Sequence, residues 1–502
     1  MNIRYTIYFI GKILRIVAFI FVFPTLIALI YGEYSNLVAF LPMGVGIFVI
    51  GLLCSLKVPQ DKRLKATEGF IIVALSWIIM SLAVACSYYI LGEVGNFIDC
   101  FFEAVSGFTT TGASVIDNVE ILSKSTNALR LFTHWVGGMG ILVLVLAIMP
   151  KNMDATAMNV FKAEVPGHQV EKMTNKLTMT AKILYLIYTG LTVIVAVAFM
   201  IADMPIFDSI VHAMSIAGTG GFSVRNASIG AYNSYAIEII ATVGMFIFGI
   251  NMNLFYLILI GKVVTALKSE EMHVYISMYI IAVVAISISL SVNSIYETVG
   301  ESVIHSAFQA AAIMSTTGMF VENFSLWPTF AQTIILLIMF VGGSSGSTAG
   351  GIKVSRIMIS GKYIGRQISL SARPHVVKTI RLEGERLDKN TVNGAVSYIV
   401  LYAMIIIVSF VGVGLFDDIL VEGEGFNLLE KFTAVVSCMG NVGPAFGDLC
   451  VGNYKSFSTI SKLILCFDML AGRLEILPML FLFNPLIWKS GINLRKKQLK
   501  NN

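Results

Sequence analysis

Charge is scarce in this chain: Asp, Glu, Lys and Arg together make up 13% of its 502 residues. A water-soluble domain carries about 25%, so a chain this poor in charge cannot present a wholly hydrated surface. The signatures of common hydrolytic chemistry are missing too. There is no HExxH and no pair of aspartates within an apolar run. Those absences argue against an intramembrane protease or lipid transferase, and the chain reads as a non-enzyme. The six cysteines (Cys54, Cys86, Cys100, Cys438, Cys450 and Cys466) form no CxxC pair and no His cluster accompanies them. They read as small apolar packers, with a Cys100–Cys450 disulfide left open. A net charge of +5 could suggest nucleic acid. The basic residues stand at the ends of apolar runs, which is a membrane pattern, so no nucleic-acid partner is expected.

What the chain has is apolar length. Hydrophobic residues make up 56% of it, and its mean hydropathy is +0.82. Runs such as Ile71 to Leu91, Leu184 to Ile201 and Tyr398 to Leu415 approach or reach the ~20 residues a spanning helix needs. Ten long spans are expected, near 8–31, 36–56, 68–92, 128–150, 180–202, 233–262, 273–293, 328–359, 392–415 and 456–487. Four half-length segments lie between them, near 98–110, 205–219, 301–316 and 427–440. The first run is too long for a signal peptide, lacks a small-residue cleavage site and is followed by a second run. Both are read as retained.

Lys and Arg set the orientation. They gather in loop 57–67, in 353–389 and in the tail from Lys489 to Lys500. Threading ten spans puts all three on one side, the cytoplasm, with both termini. The other side is acidic, with Asp99, Glu103, Asp208, Glu301, Asp417 and Glu422 among others.

The half-length segments share an ending. They read Ser106-Gly-Phe-Thr-Thr-Thr-Gly112, Ser215-Ile-Ala-Gly-Thr-Gly-Gly221, Ala312-Ile-Met-Ser-Thr-Thr-Gly318 and Ser437-Cys-Met-Gly-Asn-Val-Gly443. The four align without gaps on the final glycine. Bare backbone at membrane depth is tolerated where it is buried or lines water. A cation that sheds its hydration shell needs several oxygens at once, and backbone carbonyls supply them if the chain is held extended. Glycine permits the backbone angles this requires. The preceding half-helices would aim their partially negative C-termini at the ion. The hydroxyls of Thr109, Thr110, Thr111, Thr219, Thr316 and Thr317 could satisfy backbone groups behind such a filter. The competing reading is close helix packing of the GxxxG type. A single glycine would suit it; four at one column favour a filter.

These segments, with Thr133-His-Trp-Val-Gly-Gly-Met-Gly140, Phe161-Lys-Ala-Glu-Val-Pro-Gly167, Gly342-Gly-Ser-Ser-Gly-Ser-Thr-Ala-Gly-Gly-Ile-Lys353 and Gly472-Arg-Leu-Glu-Ile476, resemble the Trk/Ktr/HKT superfamily of K⁺ transporters. The two extra N-terminal spans suit its TrkH/TrkG branch. The resemblance implies an all-α polytopic membrane protein with four helix–pore helix–helix repeats in pseudo-fourfold arrangement plus two N-terminal helices. On that plan residues 1–66 are the N-terminal pair, and 67–165, 166–268, 269–375 and 376–502 are the repeats. It also implies gated K⁺ uptake across a bacterial inner membrane, a homodimer in contact with membrane lipid, and a TrkA-like cytosolic subunit binding NAD(H) or ATP/ADP. No covalent cofactor is implied, only K⁺ on the filter carbonyls. The filter residues would be Thr110, Thr111, Gly112; Thr219, Gly220, Gly221; Thr316, Thr317, Gly318; and Asn441, Val442, Gly443. In the family, Ser at the first filter glycine goes with Na⁺; here that position is Gly112, which points to K⁺, with Rb⁺ permeating too. Asn441-Val442 departs from the threonine pattern and is expected to break strict fourfold geometry.

Span 328–359 is interrupted by Gly342, Gly343, Gly346, Gly350 and Gly351, too many for a stable helix middle. It reads either as a kink or as an intramembrane loop beneath the filter that blocks the path and swings aside. The resemblance favours the loop as gate. Arg473, inside the last span, is costly there without water or a partner. It reads as an ion pair with Asp468 or Glu475, or, as in the family, as a positive charge below the filter. Lys353 is a second such charge or one that snorkels to the surface. Asp468 and Glu475 are also the carboxylates a K⁺ symporter coupled to H⁺ or Na⁺ would use, the alternative to a pore. His134-Trp135 reads as an interfacial anchor, and Asn251 and Asn253 as interhelical hydrogen-bonders. Asp99, Glu103, Asp208 and Glu301 read as solvated loop charges, with cation concentration at a mouth as the other reading.

Overall fold

The computed structural model describes residues 2–60, 66–140, 177–373, 379–421 and 425–485. The Phe161–Gly167 motif, much of the 57–67 loop, the second half of span 128–150 and the basic tail lie outside them.

The described chain is helical. It runs α1 (Ile3–Val17), α2 (Val22–Ile30), α3 (Leu37–Ser55), α4 (Ala66–Leu91), α5 (Phe97–Phe108) and α6 (Lys124–Gly138). It continues with α7 (Leu177–Ile201), α8 (Ile206–Gly218), α9 (Tyr235–Phe248), α10 (Met252–Leu259) and α11 (Val263–Leu267). Next come α12 (Glu270–Val292), α13 (Val299–Met314), α14 (Thr329–Val341) and α15 (Val354–Ala372). A two-stranded hairpin follows, β1 (Arg381–Leu382) with β2 (Glu385–Arg386). The last helices are α16 (Lys389–Leu420), α17 (Leu428–Gly440), α18 (Thr459–Arg473) and α19 (Leu477–Phe483).

Among the described residues six helices are long and apolar enough to cross a membrane, or seven if α9 and α10 form one bent span. Their outward faces are apolar: Leu186 is 75% exposed and Val408 is 70% exposed. Such side chains face lipid, not water.

The first three helices form a separate layer. α1 and α3 cross where Gly11 meets Gly51, since a Cβ on either would strike the other's carbonyl oxygen. Small residues at such a crossing let backbones approach in a membrane. The layer is tied to the rest by polar contacts at its ends. Asn36 Nδ2 donates to Ser123 and Ser125 Oγ at 2.8 Å. The Glu33 carboxylate accepts the Lys124 and Ser125 N–H groups at 2.8 and 2.9 Å, capping α6.

Each remaining unit is a long helix, a half-length helix and a second helix. The half-length helices α5, α8, α13 and α17 have 12, 13, 16 and 13 residues. Each carries a carboxylate at its third position: Asp99, Asp208, Glu301 and Glu430. A negative charge there complements the helix dipole, and in α13 and α17 it completes a capping box.

The second helices depart from expectation. Four long spans were expected at 128–150, 233–262, 328–359 and 456–487, the third interrupted by its Gly-rich stretch. Instead α6, α9, α14 and α18 end after 15, 14, 13 and 15 residues. At 1.5 Å per residue each is about 20 Å long, short of the ~30 Å hydrocarbon core. The chain then turns: by 90° between α9 and α10, across 342–353 between α14 and α15, and at Leu474–Ile476 between α18 and α19. The third interruption was legible from its five glycines. The fourth is made with almost none: Glu475 and Ile476 both adopt positive φ, 59° and 66°. Leu477 N–H donates to Glu475 O at 2.7 Å across Ile476, a tight γ-turn rarely adopted by a β-branched residue.

Candidate functional site

The half-helices end alike. Thr110, Thr219, Thr316 and Asn441 have left-handed φ of 54°, 54°, 56° and 54°. In each case the N–H of this residue donates three residues back, to Gly107, Ile216, Ile313 and Cys438 O. The next N–H donates five back: Thr111 to Ser106 O, Gly220 to Ser215 O, Thr317 to Ala312 O and Val442 to Ser437 O, at 2.8–3.0 Å. This is the Schellman ending of a helix, with threonine or asparagine where glycine is commonest. Asn441 therefore does not break the backbone pattern. Asparagine tolerates left-handed φ better than most residues, so segment four differs from the others in side chain and not in main chain.

Two residues further on, Gly112, Gly221, Gly318 and Gly443 have φ of 83°, 81°, 70° and 103°. What surrounds them closes a ring. A Cβ on Gly112 would strike Gly220 O, one on Gly221 would strike Thr317 O, one on Gly318 Val442 O, and one on Gly443 Thr111 O. Segment one thus abuts two, two abuts three, three abuts four and four abuts one. Four equivalent carbonyls, those of Thr111, Gly220, Thr317 and Val442, stand at one level. All twelve residues expected to form a filter are brought together, and the close-packing reading of the glycines is met at the same time, because here the neighbour is a carbonyl.

The side chains behind the ring differ between segments. Thr109 Oγ1 donates to Val105 O at 2.7 Å and pairs with Thr111 Oγ1 at 2.8 Å. Ser315 Oγ pairs with Thr317 Oγ1 at 2.7 Å. Asn441 Nδ2 donates to Thr111 Oγ1 at 3.1 Å and to Met469 O at 2.9 Å. Of the hydroxyls expected to satisfy backbone groups, Thr109 donates to Val105 O, Thr219 donates to Gly218 O and Thr316 accepts the Gly350 N–H, while Thr111 and Thr317 bond other side chains.

His134 departs from expectation. It is no interfacial anchor but is fully buried between segments one and two. Its Nδ1 lies 2.7 Å from Gly107 O, and its Nε2 accepts the Phe222 N–H at 3.2 Å. That pairing requires a neutral ring with the proton on Nδ1. Its ring also fills the space a Cβ on Gly220 would need.

The outer carboxylates are not solvated loop charges. Glu103 is fully buried, ion-paired with Arg130 at 2.7 Å, and accepts from Ser114 Oγ and Val115 N–H. Arg130 reaches on to Ser223 O at 3.4 Å and stacks over Phe222, linking segments one and two. Asp99 pairs with Lys462 at 2.6 Å, and Asp208 with Arg225 at 3.3 Å and the Tyr232 hydroxyl at 2.6 Å. Glu301 meets the expectation best, half-buried and capping its own helix. Asp117, on the outer rim, is half exposed. Hydrogen bonds from Lys455 and Asn453 hold its carboxyl below the usual carboxylate range. Cys100 and Cys450 are free thiols, as are the other four cysteines.

The ring separates two cavities. The outer, of about 240 Å³, is lined by Gly112, Gly221, Gly318 and Pro444 at its floor, with Asp117 and Arg130 around it. The inner, of about 80 Å³, is bounded by Gly138, Gly346, Gly350, Lys353, Gly472 and Arg473.

The Gly-rich loop lies directly under segments three and four. Gly350 N–H donates to Thr316 Oγ1 at 2.7 Å, and a Cβ on Gly350 would strike Gly440 O. Ser344 N–H donates to Gly249 O at 2.9 Å and Gly346 O accepts Met252 N–H at 3.0 Å. The 342–353 stretch is therefore a packed loop and not a kink. Asn251 caps α10 through Asn253 N–H and packs on Gly346, where an interhelical hydrogen bond was expected.

Arg473 donates to Thr348 O at 2.6 Å on the loop and to Gly137 O at 2.7 Å in the first unit. The candidate acidic partners are occupied elsewhere: Glu475 pairs with Arg356 at 2.5 Å and Asp468 accepts from Ser409 at 2.7 Å. Lys353 does not snorkel. It is 7% exposed and its ammonium bonds Ala349 O within the loop.

Residues 43–272 and 252–490 match the family model for TrkH, described as a cation transport protein. The chain is 32% identical over 496 residues to the Trk system potassium uptake protein TrkH of Vibrio parahaemolyticus, covering 98% of this chain and 100% of that one. It is 30% identical over 470 residues to the Trk system potassium uptake protein TrkG of Escherichia coli, covering 93% and 95%. The crystal structure of the potassium transporter TrkH from Vibrio parahaemolyticus superposes with a TM-score of 0.86, covering 97% of this chain and 100% of that one at 30% identity.

Proposed function

Since the chain belongs to the TrkH family of cation transport proteins, we propose that it takes up K⁺ through the ring of four carbonyl–glycine junctions. That ring carries the reading. It offers a dehydrated cation carbonyl oxygens from four sides, with space above and below, and no side-chain charge at the level where selection would occur. K⁺ is the cargo, held by main-chain oxygens, with no covalent cofactor. Glycine at all four positions favours K⁺ over Na⁺, with Rb⁺ permeating.

The Gly342–Gly351 loop is the obstruction below the ring, and Arg473 is its clasp. A cation leaving the ring inward would meet a guanidinium and packed backbone. Opening requires the loop to leave Thr316 and Arg473 to release Thr348 O. The basic loops support a reading in which both termini are cytoplasmic and the membrane is a bacterial inner membrane. The relatives are named as Trk system proteins, which supports control by a TrkA-like cytosolic subunit; a nucleotide bound by that subunit and a homodimer of this chain belong to the same proposal.

The test is flux by the purified protein in liposomes, comparing K⁺, Rb⁺, Na⁺ and Li⁺. K⁺ and Rb⁺ should pass and Na⁺ and Li⁺ should not. Accumulation of K⁺ against its gradient only when a proton or Na⁺ gradient is imposed would replace the pore by a coupled symporter.

A further inference from the structure

The N-terminus of α12 is capped by a residue far away in sequence. The β1–β2 hairpin turns at Glu383-Gly384. The Glu383 carboxylate accepts the N–H groups of Glu270 and Glu271, each at 3.1 Å, and the Ser269 hydroxyl at 2.8 Å. Glu270 reciprocates by accepting Glu383 N–H at 3.3 Å. The arrangement is a capping box whose two halves come from different segments. Lys362 of α15 reinforces it, bonding Glu270 and donating to Arg381 O at 2.9 Å.

The same first turn of α12 carries Glu271, which points the other way. It is 8% exposed, and its Oε1 accepts the Ser345 N–H of the Gly-rich loop at 2.6 Å. One buried carboxylate therefore joins the first turn of α12 to the interruption between α14 and α15. A buried carboxylate is tolerated only where donors satisfy it, so the loop and Glu271 hold each other in place. The charges facing it are Lys353 and Glu383.

We propose that Glu271 is the positioning residue that latches the Gly342–Gly351 loop beneath the ring, and that the Arg381–Arg386 hairpin sets the latch through Glu383. The proposal rests on the reading of that loop as the obstruction to K⁺. Pulling the hairpin off α12 would remove the cap, free the helix end and release Ser345. The hairpin is then the place where a force applied from outside the bundle reaches the loop, 30 or more residues away along the chain.

The experiment uses the purified full chain, with hydrogen exchange of peptides covering 342–353 and Rb⁺ efflux from liposomes. Glu271→Ala should raise loop exchange and basal efflux by about tenfold or more, as expected for loss of a charge-assisted hydrogen bond. Glu271→Gln, which keeps an acceptor oxygen, should give a smaller rise. Glu383→Ala touches no loop residue, yet should raise loop exchange while exchange at 109–112 stays as in the wild type. A merely structural Glu271 would not produce that remote effect. Wild-type loop exchange in Glu383→Ala, or equal behaviour of Glu271→Gln and Glu271→Ala, would overturn the proposal. If Glu271→Ala fails to fold, the Gln and Glu383 variants decide. A wild-type protein that passes no K⁺ or Rb⁺, but whose loop exchange responds as described, would sink the transport reading and leave the latch standing.

Discussion

Asn441 donates its side-chain amide to Thr111 Oγ1 at 3.1 Å, so the least typical segment of the ring is fastened directly to the first. The same amide reaches Met469 O, and the residue holds a left-handed φ. Replacing Asn441 by Leu removes both bonds and places a branched side chain where left-handed backbone costs about 1–2 kcal/mol. With the lost bonds added, the variant should be about 2–4 kcal/mol less stable. Thermal denaturation in detergent, with and without K⁺, measures it. A melting curve like that of the wild type would show that segment four needs no such fastening.

Gly112→Ser tests the ring itself. At φ 83° any Cβ is strained, and this one would meet Gly220 O. The carbonyl must move away, opening one quarter of the ring. Na⁺ flux relative to K⁺ should rise about tenfold, equivalent to about 1.4 kcal/mol in relative barrier. Liposome flux under paired ion gradients reads the ratio. An unchanged ratio would mean that selection happens elsewhere.

The two outer-mouth carboxylates Glu103 and Asp117 should differ sharply in what their loss costs. Glu103→Ala leaves Arg130 buried without its anion, at a cost of about 3–5 kcal/mol. Replacing both by apolar residues of similar size should recover part of that loss. Asp117→Asn breaks a half-exposed pair with Lys455, and should change stability by less than about 1 kcal/mol. Its depressed pKa fixes the sign of the pH effect. The folded state favours the ionised form, so the small stabilisation is present at neutral pH. It is lost only as pH falls through the depressed value, below the usual carboxylate range. Chemical denaturation at neutral and acidic pH distinguishes the two sites.

Arg473→Ala should free the loop from the first unit as well as from α18. It deletes donors to Thr348 O and Gly137 O, bonds worth about 1.5–3 kcal/mol each when charge-assisted. Basal Rb⁺ efflux should rise and K⁺/Na⁺ preference should stay as it was, because the ring is not touched. A fall in efflux with selectivity intact would mean that Arg473 props the path open instead of closing it.

Much of this site was legible in the sequence because glycine is a backbone statement. Gly112, Gly221, Gly318 and Gly443 announced their column, and the five glycines of 342–351 announced their loop. His134 was not legible: a histidine beside a tryptophan at a helix start looks interfacial, and only the fold brings Phe222 N–H to its other nitrogen. Glu103 and Asp99 looked solvated because their partners, Arg130 and Lys462, come from 27 and 363 residues away. The break at Glu475–Ile476 was hidden for the opposite reason, since its residues favour helix or strand and tertiary packing overrides them. Asn441 looks like a break in the pattern because its side chain differs from threonine, while its backbone keeps the same left-handed φ.

The head-to-tail contact of the four glycines has a consequence for inheritance. In a pore made of four identical chains, one changed codon alters every wall together. Here it alters a single wall, while the neighbour on either side keeps its own sequence. The ring can therefore be adjusted in quarter steps, and a lineage can trial a new residue at one quadrant without committing the other three.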